Sequence, residues 1–124
     1  MLKVFRKKVS GEKRGEKIGF PTLNFLLKKG DKIKRGVWLV RLKIGKKEYF
    51  GLANAGKPKT FTPLKKVPER IEVHLFSKPA RDIKKAEVYF LKYLRKTKKF
   101  KKIENLKKQI KRDIKKAKSL LNFL

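Results

Sequence analysis

"GVWLVRLKIGKKEYFGLANAG", Gly36 to Gly56, is the stretch whose reading decides the fold. Its first half alternates, with Trp38, Val40, Leu42 and Ile44 on one side of an extended chain and Arg41 and Lys43 on the other, the period of a half-buried β-strand. Gly45-Lys46-Lys47 then reads as a hairpin turn. The returning arm, Glu48 to Gly56, places Gly51, Ala53 and Ala55 on one face, which predicts close approach of a neighbouring backbone.

Similar alternation recurs on both sides of this hairpin. Leu2 to Val9 reads as a short strand with a charged outer face that ends at Ser10-Gly11, and Leu23 to Leu27 reads as a second. A loop rich in proline and lysine runs from Gly56 to about Pro68. Beyond it, "RIEVHLF" sets Ile71, Val73 and Leu75 against Glu72, His74 and Phe76, and "AEVYFLKYL", Ala86 to Leu94, supplies the last strand. From Ile103 the period lengthens: Ile103, Leu106, Ile110, Ile114, Ala117, Leu121 and Leu124 recur every three or four residues, on one face of an amphipathic helix. Six short strands followed by one helix predict a mainly β fold, a small closed antiparallel barrel with the helix on its wall, in a single domain spanning 1–124.

Composition narrows the chemistry. Lys and Arg number 39 against 10 Asp and Glu, a net charge of +29 that attracts any polyanion, nucleic acid first. Lysine greatly outnumbers arginine and is spread along the whole length, however, whereas base readers favour arginine. A compositional habit of the source leaves the same trace, so nucleic acid is expected to bind only non-specifically, through charge. Without cysteine there is no disulfide scaffold, thiolate metal site or thiol nucleophile, and His74, the single histidine, cannot build a multi-histidine site. No apolar run approaches the ~20 residues that span a bilayer, and the opening MLKVFRKK lacks the apolar core of a signal peptide. The expectation is a cytoplasmic, monomeric protein away from membranes.

The chemistry concentrates in "GEKRGEKIGFPTLN", Gly11 to Asn24. Glycines 11, 15 and 19 can turn backbone N–H groups toward an anion, and Lys13, Arg14 and Lys17 add charge, although a plain basic loop has the same look. Pro21 pushes Phe20 into an extended shape, so Thr22 and Asn24 project to one side as two hard oxygen donors beside the loop, a set sufficient for Mg²⁺. A turn or cap pair bonding its own backbone uses the same residues. Glu72 is an isolated acid within an apolar strand, suited either to a solvated face or to a general base for a hydroxyl nucleophile.

Taken in order, G-x3-G-x3-GFPT-x-N, GVW-x-VRL, YFGLANAG, IEVHLF, FLKYLR-x3-KF and a helix reading L-x2-QI-x2-DI-x2-A resemble the riboflavin kinase family, from about Phe5 to Lys118. The resemblance implies a six-stranded Greek-key barrel with a C-terminal helix that transfers the γ-phosphoryl of ATP to the ribityl 5′-hydroxyl of riboflavin, giving FMN and ADP. It implies that Gly11 and Lys17 contact nucleotide phosphates, that Thr22 and Asn24 ligate Mg²⁺ on the nucleotide, and that Glu72 is the catalytic base. Leu75 and Ser77 would lie near the nucleotide, with Arg95, Lys98 and Phe100 on the flavin side. Leu23 stands where the family usually carries alanine, and Lys96-Thr97 where it carries a Pro-Glu pair. Nothing matches the FMN adenylyltransferase domain that precedes this one in many bacteria, so the expected product is FMN and not FAD. Two rival readings are a basic barrel that binds nucleic acid and a flavin-binding regulator on the kinase fold.

Overall fold

A computed structural model describes residues 2–9, 22–57, 68–77 and 83–122. In chain order the elements are β1 (Leu2–Val9), β2 (Thr22–Leu26), β3 (Gly36–Ile44), β4 (Lys47–Gly56), β5 (Arg70–Leu75), β6 (Lys85–Arg95) and α1 (Ile103–Leu121). Every strand pairing is antiparallel, and the sheet closes in the order β1-β2-β5-β4-β3-β6. Three successive strands, β3, β4 and β5, lie side by side and β6 returns to flank β3, which is a Greek key. The predicted mainly β barrel with a C-terminal helix is therefore the observed fold.

The 36–56 hairpin behaves as its alternation requires. Ile44 pairs with Lys47 across a two-residue turn whose first residue, Gly45, has φ 60, a value glycine adopts without strain. Trp38, Val40 and Leu42 turn into the barrel, where they meet Phe25, Ala53, Ala55, Ile71, Val73, Val88 and Phe90. Removing a leucine-sized side chain from water is worth roughly 1.5–3 kcal/mol, so each member of this alternating set helps to drive closure of the sheet. Gly51 is obligatory: a Cβ there would sit 2.4 Å from the backbone oxygen of His74 on β5, so the anticipated close approach is real.

The second face of β3 departs from a simple half-buried strand. Val37 and Leu39, which alternation would send to solvent, are buried with Leu52 beneath α1, against Ala117, Ile114 and Leu120. Two irregularities in β6 complete this second core. Val37 pairs with Arg95 but Trp38 with Tyr93, and Leu39 pairs with Lys92 but Val40 with Phe90, leaving Leu94 and then Leu91 as extra residues. Both extra leucines join the helix side, because a bulge breaks the strict in-out alternation that follows it. On the helix itself Ile103 is 53% exposed, so the buried stripe starts only at Leu106. Leu124 lies outside the described residues.

Ion pairs fasten the loops to this frame. Arg35 makes a bidentate bond to Glu69 at 2.6 and 2.8 Å, joining the start of β3 to the start of β5, and Arg6 pairs with Asp31. The hydrogen bond from Arg35 holds the Glu69 carboxyl below its ordinary value. On β6 the Tyr89 hydroxyl, donating to Glu87 at 2.6 Å, does the same for that carboxyl, with Lys3 and Lys43 adding charge. No helix among the described residues is long and apolar enough to cross a membrane.

Candidate active site

The register between β2 and β5 sets Thr22 opposite His74 and Asn24 opposite Glu72. Across the other edge of β5, Glu72 faces Asn54 and His74 faces Leu52 of β4. Opposed residues in an antiparallel pair share a face. Because Phe25, Ile71, Val73 and Leu75 point into the barrel, the intervening residues Thr22, Asn24, Glu72, His74 and Asn54 stand together on its outer wall. Two side chains distant in sequence from Glu72, Asn24 and Asn54, thus flank its carboxylate on both sides in one row.

This row is polar but not freely solvated. Asn24 is buried, Thr22, Asn54 and His74 are half-buried, and the Glu72 side chain is 30% exposed. His74 Nε2 lies 3.4 Å from Glu72 Oε1, so the imidazole borders the carboxylate along its own strand. On the other side, Thr97 donates its hydroxyl to Asn54 Oδ1 at 2.7 Å, bringing the segment after β6 onto the row. Arg95, the last residue of β6, donates from Nε and an Nη to the two oxygens of the buried Asp113 of α1 at 3.0 and 2.6 Å. Gln109 adds a third donor to Asp113 at 3.0 Å, and a further Arg95 nitrogen donates to the Lys96 carbonyl at 2.9 Å.

Chemically, the wall offers a carboxylate positioned to accept a proton and two neutral hard oxygens beside it. That donor set fits Mg²⁺, which takes one or two protein oxygens and fills its remaining positions with water and phosphate oxygens. No group of three or more His, Asp or Glu able to hold a metal occurs among the described residues.

Of the residues expected from sequence, Thr22, Asn24 and Glu72 are brought together. Gly11 and Lys17 lie outside the described residues. The Leu75 side chain is part of the barrel core, which leaves only its backbone for a nucleotide, whereas Ser77 is exposed just beyond the end of β5. Lys98 is exposed and Phe100 half-buried in the connection from β6 to α1, while Arg95 is tied to Asp113. Sequence reasoning passed over Asn54, Thr97 and Asp113. Asp113 had a signal, being an acid on the apolar stripe between Ile110 and Ile114, and so had Asn54, a lone amide within "LANAG".

Comparison with known proteins adds independent findings. A family model described as Flavokinase, riboflavin kinase, matches residues 2–121. The chain is 34% identical over 122 residues to the bifunctional riboflavin kinase/FMN adenylyltransferase of Haemophilus influenzae, covering 97% of this chain and 39% of that protein. The bifunctional enzyme of Escherichia coli K12 is also 34% identical, over 108 residues, covering 85% of this chain and 33% of its own length. Among solved structures, one described as a macrolide-efflux protein from Streptococcus pneumoniae superposes with a TM-score of 0.79 at 30% identity, over 94% of this chain and 38% of that one. The chain thus spans between a third and two fifths of the length of such relatives.

Proposed function

Since this chain belongs to the riboflavin kinase family, we propose that it transfers the γ-phosphoryl of ATP to the ribityl 5′-hydroxyl of riboflavin, yielding FMN and ADP. The observation that carries this reading is the register placing Glu72 directly opposite Asn24, with Thr22 on the same wall. A hydroxyl nucleophile requires a base, and a phosphoryl donor requires charge neutralisation beside it. The row supplies the first, and its oxygen pair would hold an ion that supplies the second.

Thr22 and Asn24 would hold Mg²⁺ through the hydroxyl and amide oxygens. When bound, the ion offsets negative charge on the phosphate oxygens. Gly11 and Lys17 would contact those phosphates, and Ser77 with the Leu75 backbone would border the nucleotide. Glu72 accepts the 5′-hydroxyl proton as that oxygen bonds to the γ-phosphorus and the bond from phosphorus to the ADP oxygen breaks. No covalent enzyme intermediate is needed, so alignment supplies most of the rate. On the flavin side, Arg95 would present a guanidinium already fixed by Asp113, beside Lys98 and Phe100.

FMN formation from riboflavin, ATP and Mg²⁺, followed by chromatography, tests the reading. The unaltered protein should turn over, Glu72→Gln should lose about 10²–10⁴-fold in kcat as expected for a general base, and Asn24→Ala should need more Mg²⁺ for half-maximal rate. An inactive unaltered protein, or a fully active Glu72→Gln, overturns it.

A further inference from the structure

The kinase reading uses Asn24 and Glu72 but leaves unexplained the third member of the row, Asn54. It sits opposite Glu72 on β4, half-buried, as the carboxamide on the far side of the carboxylate from Asn24. A carboxamide has two faces of opposite hydrogen-bonding sense, an accepting oxygen and a donating NH₂. Which of them meets a neighbour is normally free to switch by rotation about χ2. Here the oxygen is occupied: Thr97 donates its hydroxyl to Asn54 Oδ1 at 2.7 Å, from 43 residues further along the chain.

Thr97 belongs to the β6-to-α1 connection, whereas Glu72 is on β5, on the opposite side of β4 from β3 and β6. With its oxygen drawn to Thr97, the amide orientation is fixed and its NH₂, which carries two donors, is turned away from Thr97 toward other neighbours. Directly opposed residues of an antiparallel pair have Cβ atoms about 4.5–5.5 Å apart, within reach of an amide and a carboxylate. We propose that Asn54, oriented by Thr97, is a positioning residue that directs an N–H to the Glu72 carboxylate and fixes its aim at the reacting hydroxyl. This rests on the kinase reading, in which Glu72 is the base.

In that arrangement Glu72 has a neighbour on each side. His74 borders it along β5 at 3.4 Å, and Asn54 stands directly opposite it across the strand pair. A carboxylate held from two directions has fewer rotamers open to it, and a base that stays aligned is worth more in the transition state than in the ground state. The loop after β6 thereby sets the geometry of a base it need not touch. Thr97 is exposed, so removing its hydroxyl leaves no buried cavity and separates a catalytic effect from a folding one.

The test is steady-state FMN formation by Thr97→Val, Thr97→Ser and Asn54→Ala, with Thr97→Val repeated in a Glu72→Gln background and each melting temperature recorded. Thr97→Val should lower kcat about tenfold through misalignment of the base while leaving KM for riboflavin and for ATP and the melting temperature unchanged. Thr97→Ser should restore the rate, and Asn54→Ala should lose at least as much as Thr97→Val. Against the residual rate of Glu72→Gln, Thr97→Val should cost nothing more, because both act on one base. An unchanged kcat in Thr97→Val, a loss confined to KM for riboflavin, or an equal loss in both backgrounds overturns the positioning role while leaving the kinase reading intact. An unaltered protein that makes no FMN overturns both.

Discussion

Two halves of one barrel wall contrast sharply. Outside β3, β4 and β6 the wall is apolar at Val37, Leu39, Leu52, Leu91 and Leu94, and α1 covers it. Outside β2, β5 and the end of β4 the same wall carries Thr22, Asn24, Glu72, His74 and Asn54. Both halves are antiparallel strands of one closed sheet, with the two register shifts of β6 adding Leu91 and Leu94 to the apolar half, and the side-chain chemistry decides which half the helix buries. An apolar face must find a partner to leave water, whereas the polar face carries hydrogen-bonding groups that need no apolar cover. The Arg95–Asp113 pair stands at the border, fastening the last residue of β6 to the helix.

Breaking that border should have the largest effect on folding. Asp113→Ala leaves the Arg95 guanidinium, only 17% exposed, without its carboxylate, and losing one partner of a buried pair costs about 3–5 kcal/mol. Urea unfolding monitored by Trp38 fluorescence should show the midpoint fall, with the unfolding free energy, slope times midpoint, reduced by that amount. An unchanged midpoint would mean that α1 is held by its apolar stripe alone. The covered half itself is probed by Leu39→Ala, which truncates a fully buried side chain and should cost about 3 kcal/mol. Because Leu39 is absent from the polar row, kcat per folded molecule should stay at the level of the unaltered protein. A large loss of kcat at full folding would show the two halves to be coupled.

The smallest effect concerns pH. Glu69 has its folded value lowered by Arg35, so the pair contributes stability that is fully present above the unfolded carboxylate value, about 4.3, and is lost as pH falls through the folded value. Glu69→Gln should therefore destabilise slightly at pH 7 and make no difference at pH 2. Melting temperatures of the two proteins should differ near neutrality and converge in acid. A constant difference down to pH 2 would assign the effect to shape and not to charge.

Much of the barrel was legible because strand and helix periods are local. Trp38, Val40 and Leu42 alternate within a few residues, and Gly51, Ala53 and Ala55 announce a close approach that Gly51 indeed makes to His74. Thr22, Asn24 and Glu72 stand out in the sequence as oxygen-bearing residues in unusual surroundings, and the register sets them on one wall. The second core was not, since nothing near Leu91 or Leu94 signals that bulges in β6 turn both toward the helix. Nor was the fixing of Arg95 by Asp113, which joins residues on separate elements.

From the sequence alone came the periods, the turn, the amphipathic tail and the residue types capable of phosphoryl-transfer chemistry. The tertiary structure alone decided which of those residues face one another, because strand register is set by closure of the whole sheet. A slip of one position between β2 and β5 would turn Asn24 and Glu72 to opposite sides of the wall, with every side chain type unchanged.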